Sequence, residues 1–338
     1  MEYTQLGRTG LKVSRLVLGT MNFGSYAEES DSHAIMDAAL GAGVNFFDTA
    51  NIYGRDDHKG LTEEIVGRWL AGGADRRDKV VLATKLYGNM TNDGTPWHQQ
   101  SWPNHERLSA LNIRREVEAS LRRLRTDHID VYQFHHVDRA TPWEEIWQAI
   151  DVLIRQGKIL YAASSNFAGW HIARANEAAA RTGMLGLVSE QCLYNLAERT
   201  AEMDVLPAAQ AYGVGVIPWS PLHQGLLGGA LRKEREGGAA RTSAAAGRSA
   251  RGLADPAVRA RVEAYEKLVA EHGFEPGEAA LAWLLTRPGV TGPIVGPRTT
   301  AQLESALRAV DLDLSPEFLA GLDAIFPGPG PSPEAFAW

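Results

Sequence analysis

The feature that most constrains the fold of this chain is an alternation, repeated eight times, of a short apolar segment and a longer amphipathic one. The apolar segments indicate strands that are buried on both faces, as in a parallel sheet. They span residues 16–20, 44–48, 80–84, 129–134, 159–163, 185–189, 214–219 and 290–295. Strands that alternate with helices pair in parallel, and eight such units close into a barrel.

The amphipathic segments predict the helices of these units. In residues 110–124, the apolar side chains Ile113, Val117, Leu121 and Leu124 recur at helical spacing and share one face. The other predicted helices span residues 31–43, 61–70, 143–155, 168–181, 202–212 and 300–309, and a pair of helices is predicted between residues 256 and 286.

A doubly wound open sheet is the competing architecture for alternating strands and helices. That fold normally carries a glycine-rich phosphate-binding turn after its first strand, and no such turn follows residue 20. Segments 3–6 and 12–14 flank a turn at 7–10 and predict an N-terminal β-hairpin. Because no linker-like change in composition divides the units, residues 1–338 are predicted to form one domain, a (β/α)8 TIM barrel preceded by this hairpin.

Two predicted loops are longer than the others, and each follows the carboxyl end of a strand. Residues 86–107 are rich in Trp, His and Asn, whereas residues 228–252 are mostly Gly, Ala, Ser and Arg and are predicted to be mobile. Barrel enzymes carry their active sites at this C-terminal face. The two loops are therefore candidate walls or lids of a substrate site; surface excursions without a role are the alternative.

Composition disfavours several classes of partner and site. A net charge of −7 without a block of like charges argues against nucleic acid or an anionic membrane as a partner. Cys192 is the only cysteine, which excludes an internal disulfide and a cysteine-based zinc site. The N-terminus lacks a signal-peptide pattern, and no stretch approaches the ~20 apolar residues of a membrane-spanning helix. We expect a cytoplasmic protein, and the sequence leaves its oligomeric state open.

Four reactive side chains follow neighbouring predicted strands. Asp48 and Tyr53 follow the second strand, Lys85 the third and His135 the fourth. Because parallel strands of a barrel end at the same face, these side chains are expected to meet at one mouth. Each of them alone has an ordinary structural explanation, such as packing, helix capping or solvation. Four such side chains at the ends of neighbouring strands indicate a functional site.

This set of residues suits the reduction of a carbonyl group. Hydride addition leaves negative charge on the carbonyl oxygen, which needs a preorganised donor and then a proton. Tyr53 is the expected proton donor, and the cation of Lys85 is expected to lower its pKa from the usual value of about 10. Asp48 would hold Lys85, and His135 would donate to the carbonyl oxygen. Side chains cannot supply the hydride, so a cofactor must carry it.

The same segments resemble the signature motifs of the aldo-keto reductase superfamily. The matching segments are Asp48-Thr49-Ala50-x-x-Tyr53-Gly54, Ala83-Thr84-Lys85 and Tyr132-Gln133-x-His135, and the resemblance covers nearly the whole chain. It implies a catalytic tetrad of Asp48, Tyr53, Lys85 and His135, with Tyr53 as the general acid. Residues 6–14 and 19–24 are most similar to a bacterial branch that includes reductases of nucleotide-linked keto-deoxysugars.

The resemblance also implies an NADPH site. Ser165, Asn166 and Gln191 match residues that hold the nicotinamide carboxamide, and Trp219 matches an aromatic residue that stacks on the nicotinamide ring. The other implied contacts are Gly19, Thr20, Met21, Asp48, Ser220, Leu222, Gln224, Gly225, Gly296, Arg298 and Gln302. A guanidinium pairs well with phosphate, so Arg298 is the candidate for the 2′-phosphate and favours NADPH over NADH.

One departure from the family pattern concerns the adenosine end of this site. Ser305 and Ala306 stand where related members often carry Glu and Asn. Loss of those contacts would loosen adenosine binding or blur the choice between the two cofactors.

The expected substrate is a small carbonyl compound in contact with Tyr53, His135, His136, Trp97 and Trp102. A nucleotide-linked keto-sugar is one substrate class, because aromatic faces suit the apolar side of a sugar and amides suit its hydroxyls. A broad-specificity aldehyde or aryl-ketone reductase is the alternative within the same enzyme class.

Two other classes of protein and a metal site are weighed against this interpretation. One class is a nucleotide-binding regulatory protein with little turnover, and the other is a cofactor-free barrel such as a sugar isomerase. His98, His105 and His136 lack a second set of ligands at metal spacing, so no metal is expected.

Overall fold

A computed structural model describes residues 1–235, 251–330 and 332–337, and its central feature is a parallel eight-stranded sheet. The strands are β3 (Val17–Gly19), β4 (Phe46–Asp48), β7 (Val81–Leu86), β8 (Ile129–Phe134), β9 (Ile159–Ser165), β10 (Leu187–Gln191), β11 (Gly215–Val216) and β12 (Ile294–Val295). Two antiparallel hairpins accompany the sheet: β1 (Tyr3–Gln5) with β2 (Lys12–Ser14), and β5 (Gly54–Arg55) with β6 (His58–Lys59).

Hydrogen bonds close this sheet into a barrel. The order of strands is β11-β10-β9-β8-β7-β4-β3-β12, so the outer strands β11 and β12 must meet for the barrel to close. Val216 forms a parallel bridge to Val290, and the Thr291 N–H donates to the Val216 carbonyl at 2.8 Å. The Ile294 N–H donates to Pro218 at 2.9 Å. The predicted (β/α)8 TIM barrel and the N-terminal hairpin are therefore confirmed.

Helices follow the strands as the sequence pattern predicts. They are α1 (Glu29–Gly41), α2 (Leu61–Ala71), α3 (Arg76–Lys79), α4 (Ala110–Leu124), α5 (Trp143–Arg155), α6 (Gly169–Ala180), α7 (Val205–Ala211), α8 (Ala230–Arg235), α9 (Pro256–Glu271), α10 (Pro276–Leu285), α11 (Thr300–Arg308), α12 (Pro316–Ile325) and α13 (Glu334–Ala337). Short 3₁₀ turns lie at Thr200–Glu202, His223–Gly225 and Ala309–Asp311.

Helix α4 illustrates how local sequence sets these elements. It starts at Ser109, whose hydroxyl accepts a hydrogen bond from the Asn112 N–H, and this cap satisfies one of the free donors of the first turn. The predicted apolar face is buried, and it packs in the layer between the sheet and the helices. Helices α3, α8, α12 and α13 were not predicted, since they lie outside the repeating units or are too short to show a periodicity.

The inside of the barrel holds a second, smaller core. Inward side chains of the strands meet Leu6 and Val13 of the hairpin, so the hairpin closes the N-terminal end of the barrel. Gly7 makes this closure feasible because its φ is +54° and a Cβ there would lie 2.5 Å from the Val188 carbonyl oxygen. The opposite, C-terminal end is left for the polar residues that follow the strands.

Three expectations from the sequence need correction or restriction. The strand expected at 214–219 is regular only at Gly215–Val216. The strand expected at 290–295 is regular only at Ile294–Val295, since Gly292 and Pro293 interrupt it and Val290 makes an isolated bridge. Of the loop expected at 228–252, residues 230–235 are helical, and the prediction of mobility falls mainly on residues 236–250, which lie outside the described part. No helix among the described residues is both long and apolar enough to cross a membrane.

Candidate active site

Five inward-facing polar side chains lie at the carboxyl ends of five consecutive strands. They are Asp48 (β4), Lys85 (β7), Gln133 (β8), Ser165 (β9) and Gln191 (β10), and all five are buried. In-register pairing of parallel strands puts successive strand ends side by side: Lys85 is opposite Gln133, and Ser165 is opposite Gln191. The parallel strands therefore bring these side chains together at one mouth of the barrel, as the sequence predicted for Asp48 and Lys85.

Lys85 is the centre of a hydrogen-bond network. Its fully buried ammonium donates to Asp48 Oδ2 at 2.5 Å, to the Thr49 carbonyl at 2.9 Å and to the Tyr53 hydroxyl oxygen at 3.1 Å. Three acceptors around a three-proton ammonium satisfy its hydrogen-bonding capacity. A buried cation is tolerated because Asp48 balances its charge.

Asp48 is held from its other side by two amides. Its Oδ1 accepts from Gln133 Nε2 at 2.7 Å and from Gln191 Nε2 at 2.9 Å. Sequence reasoning assigned no role to Gln133, although it lies within a recognised motif. The available signal was its position: a polar residue on the inward side of a strand that is buried throughout.

The position of Gln191 depends on a β-bulge. Val188 lies in the inner core, so strict alternation along β10 would point Glu190 inward and Gln191 outward. The register between β9 and β10 shifts between Leu187 and Glu190, and the extra residue reverses the faces that follow. Gln191 therefore reaches Asp48, while Glu190 faces the helix layer.

Outward-facing Glu190 binds the turn that follows β9. Its Oε1 accepts from the Phe167 N–H at 2.9 Å, and its other oxygen is hydrogen-bonded to the Ser164 hydroxyl. Complete burial raises the pKa of this carboxyl to about 8, against an ordinary value of 4.5. Glu190 is therefore largely neutral at pH 7 and was not identified from the sequence.

The electrostatics of Tyr53 differ from the sequence-based expectation. Desolvation raises the pKa of the half-buried phenol, Lys85 lowers it and Asp48 raises it, so the net pKa lies above 10 rather than below it. Burial lowers the pKa of Lys85, but Asp48 and Tyr53 outweigh this effect and the net pKa is raised. Lys85 is thus a permanent cation, and Tyr53 keeps its proton at neutral pH.

His135 lies beside Tyr53 as a neutral ring. The two rings meet edge to face with their centroids 6.0 Å apart. Burial, with smaller effects from Lys85 and His136, holds the pKa of His135 well below its ordinary value of 6.5. Its Nδ1 is buried without a hydrogen-bond partner among the described residues, which is consistent with a neutral ring that carries its proton on Nε2 and can donate it.

Three aromatic rings form one side of the mouth, which we call the aromatic wall: Trp97, His135 and His136. The His136 ring is parallel to His135 at 5.0 Å and to Trp97 at 5.4 Å between centroids. Trp97 also lies parallel to His135 at 6.3 Å. Trp102, the other predicted substrate residue of this loop, is 66% exposed and does not join the wall.

Asn166 links the barrel mouth to Trp219. Its Nδ2 donates to the Ser165 hydroxyl and to the His135 carbonyl, both at 3.1 Å. Its Oδ1 accepts from Trp219 Nε1 at 3.1 Å. Asn166 adopts φ of +61°, an αL conformation that Asn tolerates better than most residues. The half-buried indole is therefore fixed at the edge of the site.

The segment after Trp219 is conformationally strained. Ser220, His223 and Gln224 adopt positive φ values of 54°, 44° and 56° without being glycine. The Asn195 side chain holds the Ser220 carbonyl at 3.0 Å. Such strain persists where the surrounding structure over-determines it and is concentrated at ligand-binding segments. Leu222 and Gly225, which were also predicted to contact the cofactor, lie in the same short segment.

The segments 19–22 and 296–302 are adjacent at the C-terminal face of the barrel. Asn22 Nδ2 donates to the Gly296 carbonyl at 2.6 Å, and buried Thr20 donates to the Asp48 carbonyl at 3.0 Å. Gly19 lies against Ile294, since a Cβ there would be 2.5 Å from the Ile294 side chain. Met21 is 53% exposed at the rim.

Arg298 lies immediately before helix α11. Its N–H donates to Gln302 Oε1 at 2.8 Å, whereas its guanidinium has no carboxylate within 4.0 Å among the described residues. A cation beside a helix N-terminus attracts phosphate. Nearby, Ser305 donates to Glu278 on α10 at 2.9 Å, so a carboxylate lies next to a position where related members often carry Glu.

These features fit a nicotinamide dinucleotide. The site offers a half-buried indole for a flat ring, a strained turn for the middle of the molecule and, at a helix start, a guanidinium for a terminal phosphate, one that pairs with no carboxylate of the described residues. The residues predicted for cofactor binding lie at or after the carboxyl ends of β3, β4, β9, β10, β11 and β12.

Comparison with known proteins agrees with this arrangement. The sequence profile of the Aldo/keto reductase family matches residues 15–326. The uncharacterized oxidoreductase YrpG of Bacillus subtilis (strain 168) is 51% identical over the full length of both chains. The versiconal hemiacetal acetate reductase of Aspergillus parasiticus is 33% identical, with 97% of this chain and 99% of the relative covered.

A third relative carries a name from another class of protein. A probable voltage-gated potassium channel subunit beta of Oryza sativa subsp. japonica is 33% identical, with 96% of each chain covered. A closed (β/α)8 barrel with this site and these relatives defines a nicotinamide-dependent oxidoreductase. The chain belongs to the aldo/keto reductase family.

Proposed function

We propose that this protein uses NADPH to reduce an aldehyde or ketone, with Tyr53 as the general acid. The single observation that carries the proposal is the 3.1 Å hydrogen bond from Lys85 to the Tyr53 hydroxyl, made by a fully buried cation that Asp48 holds in place. A phenol in this position has both a proton to give and a fixed positive charge to stabilise the anion it becomes.

The proton movement follows from this geometry. A reduced nicotinamide supplies the hydride when it is bound. As the carbonyl carbon gains that hydride, Tyr53 transfers its hydroxyl proton to the carbonyl oxygen, and the product is an alcohol. The resulting phenolate faces the Lys85 ammonium, whose three N–H groups are already oriented by Asp48, Thr49 and Tyr53. The protein therefore needs no reorganisation when the charge moves.

His135 has a separate role in this scheme. A neutral ring with its proton on Nε2 can donate to the carbonyl oxygen without adding a second full charge beside Lys85. Burial keeps the ring neutral across the physiological pH range. His135 thus orients and polarises the carbonyl, while Tyr53 supplies the proton.

The cofactor preference rests on Arg298. Ser165, Asn166 and Gln191 would hold the carboxamide, Trp219 would cover the nicotinamide ring, and the guanidinium of Arg298 would pair with the 2′-phosphate of NADPH. NADH lacks that phosphate, so it would leave Arg298 without a partner.

The test measures the oxidation of NADPH through the loss of its absorbance, with 4-nitrobenzaldehyde as a generic carbonyl substrate. Tyr53→Phe should lower kcat by about 10²-fold or more because the proposed proton donor is removed. Tyr26→Phe is the matched control, since Tyr26 is exposed and outside the network, and it should leave kcat unchanged. A Tyr53→Phe protein with full activity would contradict the assignment.

A second candidate function is that of a nucleotide-binding regulatory protein with little turnover. The observation that favours it is the channel-subunit name of one relative. It predicts quenching of tryptophan fluorescence by NADPH through Trp219, without NADPH oxidation on a panel of aldehydes, aryl ketones and keto-sugars. Turnover that depends on Tyr53 would exclude this alternative, and an absence of quenching would favour a cofactor-free barrel.

The aromatic wall bears on the substrate. Trp97, His136 and His135 form a group of parallel aromatic rings at the mouth, and aromatic rings suit an aryl group or the apolar face of a sugar. The same panel of substrates distinguishes an aryl ketone or aldehyde from a keto-sugar by kcat/KM.

A further inference from the structure

Lys59 lies in the hairpin that directly follows Tyr53 and is unusual for a lysine in being only 3% exposed. The hairpin pairs Gly54 with Lys59, so Lys59 lies opposite the residue next to the proposed general acid. The Tyr53 carbonyl also accepts from the Gly60 N–H at 3.0 Å, which ties the end of the hairpin to its start. The hairpin therefore ties Lys59 to the backbone next to Tyr53.

The ammonium group of Lys59 is bound by the long loop between β7 and α4 (residues 87–109, the β7–α4 loop). It donates to the Thr91 carbonyl at 2.5 Å and to the Thr95 carbonyl at 2.7 Å. The Lys59 N–H donates to Asn92 Oδ1 at 2.9 Å. Among the described residues no carboxylate lies within 4.0 Å of this ammonium, so backbone carbonyls replace the water that a lysine normally retains.

The contacted stretch of the β7–α4 loop is internally closed. The Asn89 N–H donates to the Trp97 carbonyl at 2.9 Å, which joins the two ends of residues 89–97. Asn89 Oδ1 accepts from the Thr91 N–H at 3.0 Å and from the Ser101 hydroxyl at 3.1 Å. The carbonyls that bind Lys59 belong to this closed stretch, and Trp97 is its last residue.

Trp97 in turn belongs to the aromatic wall, where it lies parallel to His135 and His136. Tyr53 and Trp97 both lie against His135, with ring centroids 6.0 Å and 6.3 Å from it. Lys59 is joined to Tyr53 by the hairpin and to the stretch that ends at Trp97 by two charge-assisted hydrogen bonds, which are stronger than neutral ones.

We propose that Lys59 is a positioning residue that sets substrate specificity by fixing the aromatic wall at Trp97 relative to Tyr53. The inference rests on the proposed carbonyl reduction. Substrates with a flat face use the wall and therefore depend on Lys59, whereas a small aldehyde such as glyceraldehyde needs only Tyr53, Lys85 and His135. Lys59 itself touches no reacting atom in this scheme.

The test compares Lys59→Met with the wild-type enzyme on two substrates, 4-nitrobenzaldehyde and glyceraldehyde, at saturating NADPH. Met keeps most of the length of the side chain but removes the ammonium and its two hydrogen bonds. A hydrogen bond from a charged donor contributes enough free energy for a change of about tenfold in an equilibrium constant. We expect KM for 4-nitrobenzaldehyde to rise about tenfold or more with kcat nearly unchanged, and both constants for glyceraldehyde to stay within about twofold. Lys59→Gln keeps a neutral donor, so its KM for 4-nitrobenzaldehyde should lie between those of wild type and Lys59→Met.

Hydrogen exchange provides a readout that is independent of turnover. In Lys59→Met, peptides that cover residues 89–97 should exchange faster, whereas peptides of strand β8 should not change. Lys79→Met is the matched control, because Lys79 is an exposed lysine at the end of α3, and it should resemble wild type in both experiments.

Several outcomes would overturn the inference. These are an equal loss on both substrates, which indicates general damage to the site, an unchanged KM for 4-nitrobenzaldehyde, or unchanged exchange in residues 89–97. A wild-type protein that binds NADPH but reduces neither aldehyde would instead refute the proposed function. The exchange measurement would then still decide whether Lys59 holds the β7–α4 loop.

Discussion

Lys85 donates a hydrogen bond of 3.1 Å to Tyr53 from the interior of the barrel, although 32 residues separate the two in the chain. The pair forms because the adjacent strands β4 and β7 are in register. Lys85 lies near the carboxyl end of β7, and Tyr53 follows the carboxyl end of β4. Burial raises the pKa of Tyr53 more than Lys85 lowers it, so the phenol is protonated before reaction. Lys85 acts chiefly on the phenolate that forms during proton transfer.

Replacement of Lys85 by Met tests that role. We expect kcat for carbonyl reduction to fall by about 10²-fold or more, because the phenolate loses its charge partner in a site of low dielectric. Since Lys85 lowers the pKa of Tyr53, the high-pH decline of kcat should move to higher pH in the variant. The measurement is kcat between pH 6 and about 11, with circular dichroism as a control for folding. An unchanged kcat would refute the role.

Replacement of Arg298 by Ala tests the cofactor assignment. The guanidinium has no ion-pair partner among the described residues, so its removal should leave the fold intact. A charge-assisted contact to the 2′-phosphate contributes about 1.5–3 kcal/mol, which predicts a rise of about 10- to 100-fold in the Kd for NADPH. The Kd for NADH should hardly change. Arg155→Ala, on an exposed arginine of α5, is the control; an equal effect on both cofactors would argue against a 2′-phosphate contact.

Replacement of Glu190 by Gln tests the neutral buried carboxyl. The pKa of Glu190 in the folded protein is about 8, above the ordinary 4.5. Its contribution to stability is therefore complete below pH 4.5 and is lost as the pH rises through about 8. Each pKa unit corresponds to ~1.4 kcal/mol, so the wild-type protein should lose several kcal/mol across this window through Glu190 alone.

Thermal unfolding between pH 5 and about 9 measures this effect. The Tm of wild type should fall with rising pH relative to Glu190→Gln, and the two proteins should be similar at the acidic end. Glu304→Gln, at an exposed position of α11, should keep the wild-type slope. Parallel Tm curves for Glu190→Gln and wild type would mean that Glu190 is ionised in the folded protein.

Replacement of Gly67 by Ala tests the packing of α2 on α4. In an exposed helix this change would stabilise by about 1 kcal/mol. Here a Cβ would lie 2.1 Å from the Arg123 carbonyl oxygen and 2.7 Å from the carbonyl carbon of Leu124, both rigid backbone atoms. Overpacking of this kind costs about 1–3 kcal/mol or more and outweighs the helix propensity. Gly41→Ala in α1, where nothing lies within 4 Å, should be neutral or stabilising in urea unfolding.

Much of the architecture could be predicted because its causes are local. Each barrel strand is apolar on both faces and each helix has one apolar stripe, so the order of elements is visible in the pattern of residues. Parallel pairing then brings strand ends together, which is why Asp48, Lys85 and His135 could be predicted to converge. The short helix α3 and the helices beyond the last unit were not predicted because they lie outside this repetition.

Other properties depend on contacts between distant segments. The bulge in β10 reverses which of Glu190 and Gln191 faces the inside of the barrel. No residue type in that strand predicts the bulge. Likewise Lys59 looks like an ordinary surface lysine until the β7–α4 loop covers it. The net pKa of Tyr53 was predicted with the wrong sign for the same reason: the charge of a neighbour can be inferred from the chain, but the extent of desolvation cannot.

The residue pattern alone therefore determined that this chain forms a closed barrel of eight parallel strands and that an acid, a phenol, an amine and an imidazole gather at its mouth. Only the tertiary structure decided which way Gln191 points, that Glu190 is neutral and that Lys59 is bound by carbonyls. The physical reason is that periodicity and strand order are encoded over a few neighbouring residues, whereas burial and hydrogen-bond partners arise from segments that meet only in the folded protein.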